Sequence, residues 1–191
     1  MATKGELTKT RLVDSMLELI QSRGYAGTGL IAVAEHARAP KGSLYFHFPD
    51  GKEALGVAAV DRAADQFHEL ITAAARDEPT AGGVVRRVVE ALAALLEASD
   101  FQLGCPVSVV TLEMGADSDL LRQSCAAAFE SWISPVAELL VEHGRSDDDA
   151  RGLATTLVST VEGASIISRA QRSVVPLLRA GQVLSGLVDA R

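Results

Sequence analysis

Side chains able to do chemistry are few in this chain and widely spread. The four histidines, His36, His47, His68 and His143, have no neighbour at metal-ligand spacing, and the two cysteines, Cys105 and Cys125, form no CxxC. Neither a zinc site, a disulfide framework nor a Cys-His nucleophile pair is expected, and no GxSxG elbow occurs. Gly27 to Ala32 formally fit a GxGxxG/A phosphate loop, but no strand precedes them to carry it. Catalysis, a metal and a cofactor are therefore not expected. The dense run is Lys41-Gly42-Ser43-Leu44-Tyr45-Phe46-His47-Phe48. Its residue types suit recognition of phosphate and bases. Lys41 supplies a charge, Tyr45 and His47 can donate to phosphate oxygens, and Gly42 and Ser43 let the backbone come close. Phe46 either touches a thymine methyl or covers the unit, while Leu44 and Phe48 face inward. Thr28 and Gly29 would offer a hydroxyl and helix-start amides to another phosphate, and Lys52 a further ammonium.

The elements that must position these groups are helices, because apolar residues recur at helical spacing and never alternate for long. Leu12, Met16, Leu19 and Ile20 stripe a first helix, with Thr8 as its N-cap and Arg23-Gly24 as its end. Thr28 would cap a short second helix that Pro40 closes, and a third spans Lys41 to His47 before the turn Pro49-Asp50-Gly51. Two short helices joined at such a break are a helix-turn-helix, whose second member fits a major groove about 12 Å wide. Further helices are predicted over Lys52–Arg76 and Val84–Ala98, from the opening Gly104-Cys105-Pro106 to Met114, and over Ser118–His143 (with a kink at Pro135), Asp147–Arg172 and Val174–Val188. The fold class is all-α: an N-terminal three-helix helix-turn-helix domain over 1–52, then a larger helical ligand-binding and dimerisation domain over 53–191.

Charge divides the same way. The whole chain carries −7, yet residues 1–52 hold seven basic against five acidic side chains, and the remaining 139 hold 11 against 20. Half of the eight aromatic residues also fall in that opening quarter. A mildly basic reader on an acidic body points to double-stranded DNA as partner. The longest weakly charged stretch, Gly152 to Ser168, is interrupted by Glu162 and is short for a bilayer, so no membrane partner is expected. With no signal peptide expected from Met1 to Glu6 and few cysteines, a cytoplasmic location follows.

Gly24-Tyr25-Ala26-Gly27-Thr28-Gly29, then Ala39-Pro40-Lys41-Gly42-Ser43-Leu44-Tyr45-Phe46-His47-Phe48 and Lys52-Glu53-Ala54-Leu55, resemble the DNA-binding signature of TetR-family transcriptional regulators. The resemblance covers residues 8–56. The Ala-Pro-Lys variant, Pro49 to Glu53 and Leu103-Gly104-Cys105-Pro106-Val107 are similar to the lincomycin-resistance-repressor branch (LmrA/YxaF-like). It implies a homodimer whose last two helices form a four-helix bundle with their twins. It also implies an inducer pocket in each C-terminal domain and release of operator DNA on ligand binding; the branch points towards planar aromatic inducers. Two positions depart from the family pattern: Arg38 stands where glycine is usual, and Pro40 where a hydroxyl cap is common. Arg38 implies a strained or altered turn, and either reaches DNA or is a solvated turn charge.

In the body, an apolar pocket is expected among Phe67, Leu70, Phe101, Val109, Phe129, Trp132, Ile133 and Ile166, with Cys105 at the mouth of its helix as a small core residue or a redox sensor. Glu113 and Glu162 sit in otherwise apolar helices; each faces that pocket, pairs with an arginine or points to water. For dimerisation, Leu157, Val161, Ala164 and Ser165 are expected at the interface with Leu177, Leu184, Leu187 and Val188, because that leucine-rich stripe would leave an exposed patch on a monomer. The expected function is a ligand-responsive repressor of a palindromic operator. The alternative from another class is a helical ligand-binding or interaction module whose helix-turn-helix is vestigial.

Overall fold

The computed structural model describes residues 3–190. Among them every regular element is a helix: α1 Lys4–Arg23, α2 Leu30–His36, α3 Lys41–His47, α4 Gly51–Asp77, α5 Ala81–Ala98, α6 Pro106–Met114, α7 Asp119–Glu142, α8 Asp147–Gln171 and α9 Val175–Asp189. No helix among the described residues is long and apolar enough to cross a membrane.

The ends of these helices follow local chemistry. The first helix starts earlier than Thr8, because Thr3 and Glu6 close a capping box on each other's backbone N–H. Thr8 instead lies one turn inside, donating to the Lys4 carbonyl. Gly29, not Thr28, is the N-cap of α2. The Thr28 hydroxyl is buried and spent on the Gly24 carbonyl at 2.7 Å. At the other end of α2, Arg38 adopts φ +49° while its N–H reaches Glu35 and that of Ala39 reaches Ala34. That pairing is a Schellman stop, normally given to glycine. Pro40 then sets the start of α3 with its fixed φ.

The chain packs as two compact units, residues 1–65 with 105–128 and residues 66–104 with 129–191. α4 and α7 each give their first half to the former and their second half to the latter. In the first unit, α1 packs on α2, α3 and α6, burying Leu12, Met16 and Ile20 of α1, Val33 of α2 and Leu44 of α3. In the second, α9 lies against α5 and α8 over a core that includes Val89, Leu96, Leu140, Ala154 and Leu177. Gly181 permits the close approach, since a methyl there would meet Val89 at 2.7 Å. Asp189 also accepts from the Gly82 N–H at the start of α5, 2.8 Å away.

Candidate nucleic-acid interface and ligand cavity

α3 divides its side chains by the helical period. Leu44 and Phe48, four apart, are buried and hold it to the unit. Lys41 and Gly42 are exposed, Tyr45 is 59% exposed and Phe46 80%. Phe46 therefore does not cover the unit; its ring stands T-shaped to that of His47, at 5.1 Å and 80°. Ser43 and His47 are half-buried at the margin of the same face, and Gly29 is exposed at the head of α2. Thr28 does not join this surface, for the reason given above.

Lys52 is turned towards its own unit. Its ammonium lies 4.3 Å from the centre of the Tyr25 ring and donates to the Ala26 carbonyl at 3.4 Å. Burial pulls its pKa down and the charge of Glu113 raises it. Burial, then the Glu53 charge, pushes Tyr25 up. Among the described residues no arginine pairs with Glu113, and it does not line the cavity described below. From α6 its carboxylate accepts the Ala26 N–H at 2.7 Å and lies over Gly24. A single acid of α6 thus ties down the turn that leads into α2. No sequence pattern links those positions.

A cavity opens in the second unit, about 610 Å³ of empty space counting its mouth. Its walls are almost wholly aliphatic, with Val84 and Val88 of α5, Val136 and Leu139 of α7, and Val158 of α8. Phe67 and Glu162 line it, and so do Leu157 and Val161, which were expected at a dimer contact. Trp132 and Phe129 stand behind Phe67 in an edge-to-face stack, with Phe67–Trp132 at 4.7 Å and Phe129–Trp132 at 5.3 Å. Leu70, Phe101 and Ile133 are half-buried off its wall, the last two against the core. Cys105, Val109 and Glu113 pack in the first unit. Cys125, buried there too, has its thiol pushed up by desolvation. Ile166 is 55% exposed and points out of α8 altogether. The α5 valines, at Val84-Val85-Val88-Val89 spacing, form the wall in place of most of the scattered aromatics expected there.

The leucine stripe of α9 is also placed differently. Leu177, Leu184 and Val188 are buried in their own subunit, because α9 turns that stripe onto α5 and α8. Ala164 is buried with them, and Ser165 is half-buried with its hydroxyl on the Val161 carbonyl. Only Leu187 of that α9 group is exposed. The apolar side chains left outside are Ile166 and Ile167 of α8 with Val175, Leu178 and Val183 of α9.

Residues 12–59 match the family described as bacterial regulatory proteins, tetR family, and residues 81–183 the LmrA/YxaF-like C-terminal domain of transcriptional regulators. The chain is 29% identical to the HTH-type transcriptional regulator LmrA of Bacillus subtilis over 95% of this chain and 96% of that one. It is 32% identical to an HTH-type transcriptional regulator of Mycobacterium tuberculosis over 88% of each. A regulatory protein TetR from Rhodobacter sphaeroides shares the fold with a TM-score of 0.85 and 26% identity, covering 94% of this chain and 98% of that one. A helix-turn-helix with an outward polar and aromatic face, joined to a helical body of this kind, has the same parts. The chain belongs to the TetR family of bacterial transcriptional regulators, with a C-terminal domain of the LmrA/YxaF type.

Proposed function

We propose that the protein is a cytoplasmic repressor that binds a palindromic operator as a homodimer and lets go when a small apolar or aromatic inducer enters the cavity. Residues 1–52 read DNA, and residues 53–191 sense and dimerise. The observation that carries this is the outward face of α3, where Lys41, Tyr45 and Phe46 stand free of the fold while Leu44 and Phe48 anchor the helix. Lys41, Tyr45 and His47 bind phosphate and set the register, with Gly29, Gly42 and Ser43 allowing close approach. Lys52 contributes charge from the edge of this face.

Dimerisation uses the outer faces of α8 and α9, with exposed Ile167 and half-buried Gly163 on one and exposed Val183 and Leu187 on the other. A methyl added to Gly163 or Gly186 would meet nothing in the subunit, which leaves room for a partner helix. Isologous pairing of two helices from each protomer places two copies of α3 about 34–36 Å apart or a multiple of it. An inducer whose apolar body fills the aliphatic cavity, with a polar group at Glu162, must favour a differently spaced conformer by a few kcal/mol to act. Gel retardation of the intergenic DNA upstream of the gene at two salt concentrations tests the reading. Binding should weaken with salt, and both Lys41→Ala and Tyr45→Phe should weaken it further with fold and dimer intact. Wild-type binding by both variants would remove the assigned contacts, and the absence of any salt-sensitive shift would favour a helical interaction module.

A further inference from the structure

We infer that Phe46 is a specificity-determining residue, which reads the C5-methyl group of a thymine at a fixed position in each operator half-site. The inference rests on the proposed DNA-binding reading and extends it from phosphate contacts to sequence. On α3, Lys41, Tyr45 and His47 all carry groups that bond phosphate oxygens or base edges. Phe46 carries none, so it cannot serve register through the backbone or read a donor or acceptor. Nor does it serve the fold, because it is 80% exposed against 59% for Tyr45, and Leu44 and Phe48 already anchor the helix. The T-shaped contact with His47 still leaves four-fifths of the Phe46 side chain open to water. A phenyl ring kept in water at that place gains by covering an apolar surface, and the major groove offers one apolar feature on its base edges, the thymine methyl.

The test starts from a randomised duplex pool, from which the full-length protein selects its preferred operator. Each thymine of that operator is then replaced in turn by deoxyuridine, which removes the methyl and leaves the pairing unchanged. For the wild type, one symmetric position should weaken binding about fourfold per half-site, the worth of one buried methyl group. Phe46→Ala, an exposed substitution that keeps the helical circular dichroism, should bind more weakly and show no preference between thymine and uracil there. Phe46→Leu should retain part of the preference. Equal wild-type binding to every uracil-substituted operator overturns the inference, and so does a preference that survives in Phe46→Ala. If the pool yields no bound sequence at all, the regulator reading fails, and this inference with it.

Discussion

Gly24 and Glu113 offer the sharpest test of the packing around the reading helices. Gly24 ends α1 at φ +81° and ψ 163°, a region that residues with a Cβ avoid at a cost of about 1–3 kcal/mol. A Cβ built there would also lie 2.2 Å from the Glu113 carboxylate, forcing it off the Ala26 N–H. A charged hydrogen bond contributes about 1.5–3 kcal/mol when sheltered, and solvent screening reduces this one to about 1. Gly24→Ala should therefore destabilise the protein by about 3 kcal/mol, lowering Tm by about 6–12 °C for a chain of this size. Glu113→Ala alone should cost about 1 kcal/mol. In that background Gly24→Ala should cost only the backbone part, about 2 kcal/mol, leaving a coupling of about 1 kcal/mol. Urea unfolding followed by circular dichroism on all four proteins measures the cycle. Strict additivity, or a Gly24→Ala variant within about 0.5 kcal/mol of wild type, would mean that Gly24 and the Glu113 carboxylate do not compete for this space.

Other outcomes follow from single features. Arg38→Gly relieves a left-handed residue and loses some of the gain to a more flexible unfolded chain, so thermal melts should show about 0.5–1 kcal/mol of added stability. Leu177→Ala should destabilise each subunit by about 2–5 kcal/mol, since the side chain is fully buried in its own core. Ile167→Glu, on the exposed face of α8, should leave helicity intact and split the proposed dimer in light scattering. The Arg151 guanidinium, bonded to Glu130 at 2.7 Å with Ser134 alongside, holds that carboxyl at about 2, below its ordinary 4.5. The pair thus adds stability at neutral pH that begins to fall below about pH 4.5 and is gone near pH 2, and Glu130→Gln should flatten this part of the acid denaturation curve.

What the sequence made legible was whatever is decided by neighbours along the chain. The bounds of α3, Lys41 and His47, stand where Pro40 and the Pro49-Asp50-Gly51 turn put them, and Leu44 and Phe48 face inward as their spacing requires. The proline at the head of α6 and the acidic start of α8 are likewise local signals. Where a side chain has two nearby partners to choose from, sequence does not decide between them: Thr28 bonds the Gly24 carbonyl rather than the start of α2. Periodicity identified the α9 stripe but could not say what covers it, and the answer was the subunit's own α5 and α8. Glu113 meets a backbone N–H 87 positions away, and no pattern in one sequence announces such a pair. The Arg169 guanidinium, which donates to the Phe101 and Gln102 carbonyls, is another of the same kind.

Methylation protection of guanine N7 on the upstream intergenic duplex asks whether α3 enters the major groove, because N7 faces that groove alone. The expected pattern is two protected stretches related by a dyad, their centres about 34–36 Å or a multiple apart, with protection lost in Lys41→Ala. Uniform reactivity of every guanine at protein concentrations that retard the duplex would contradict it.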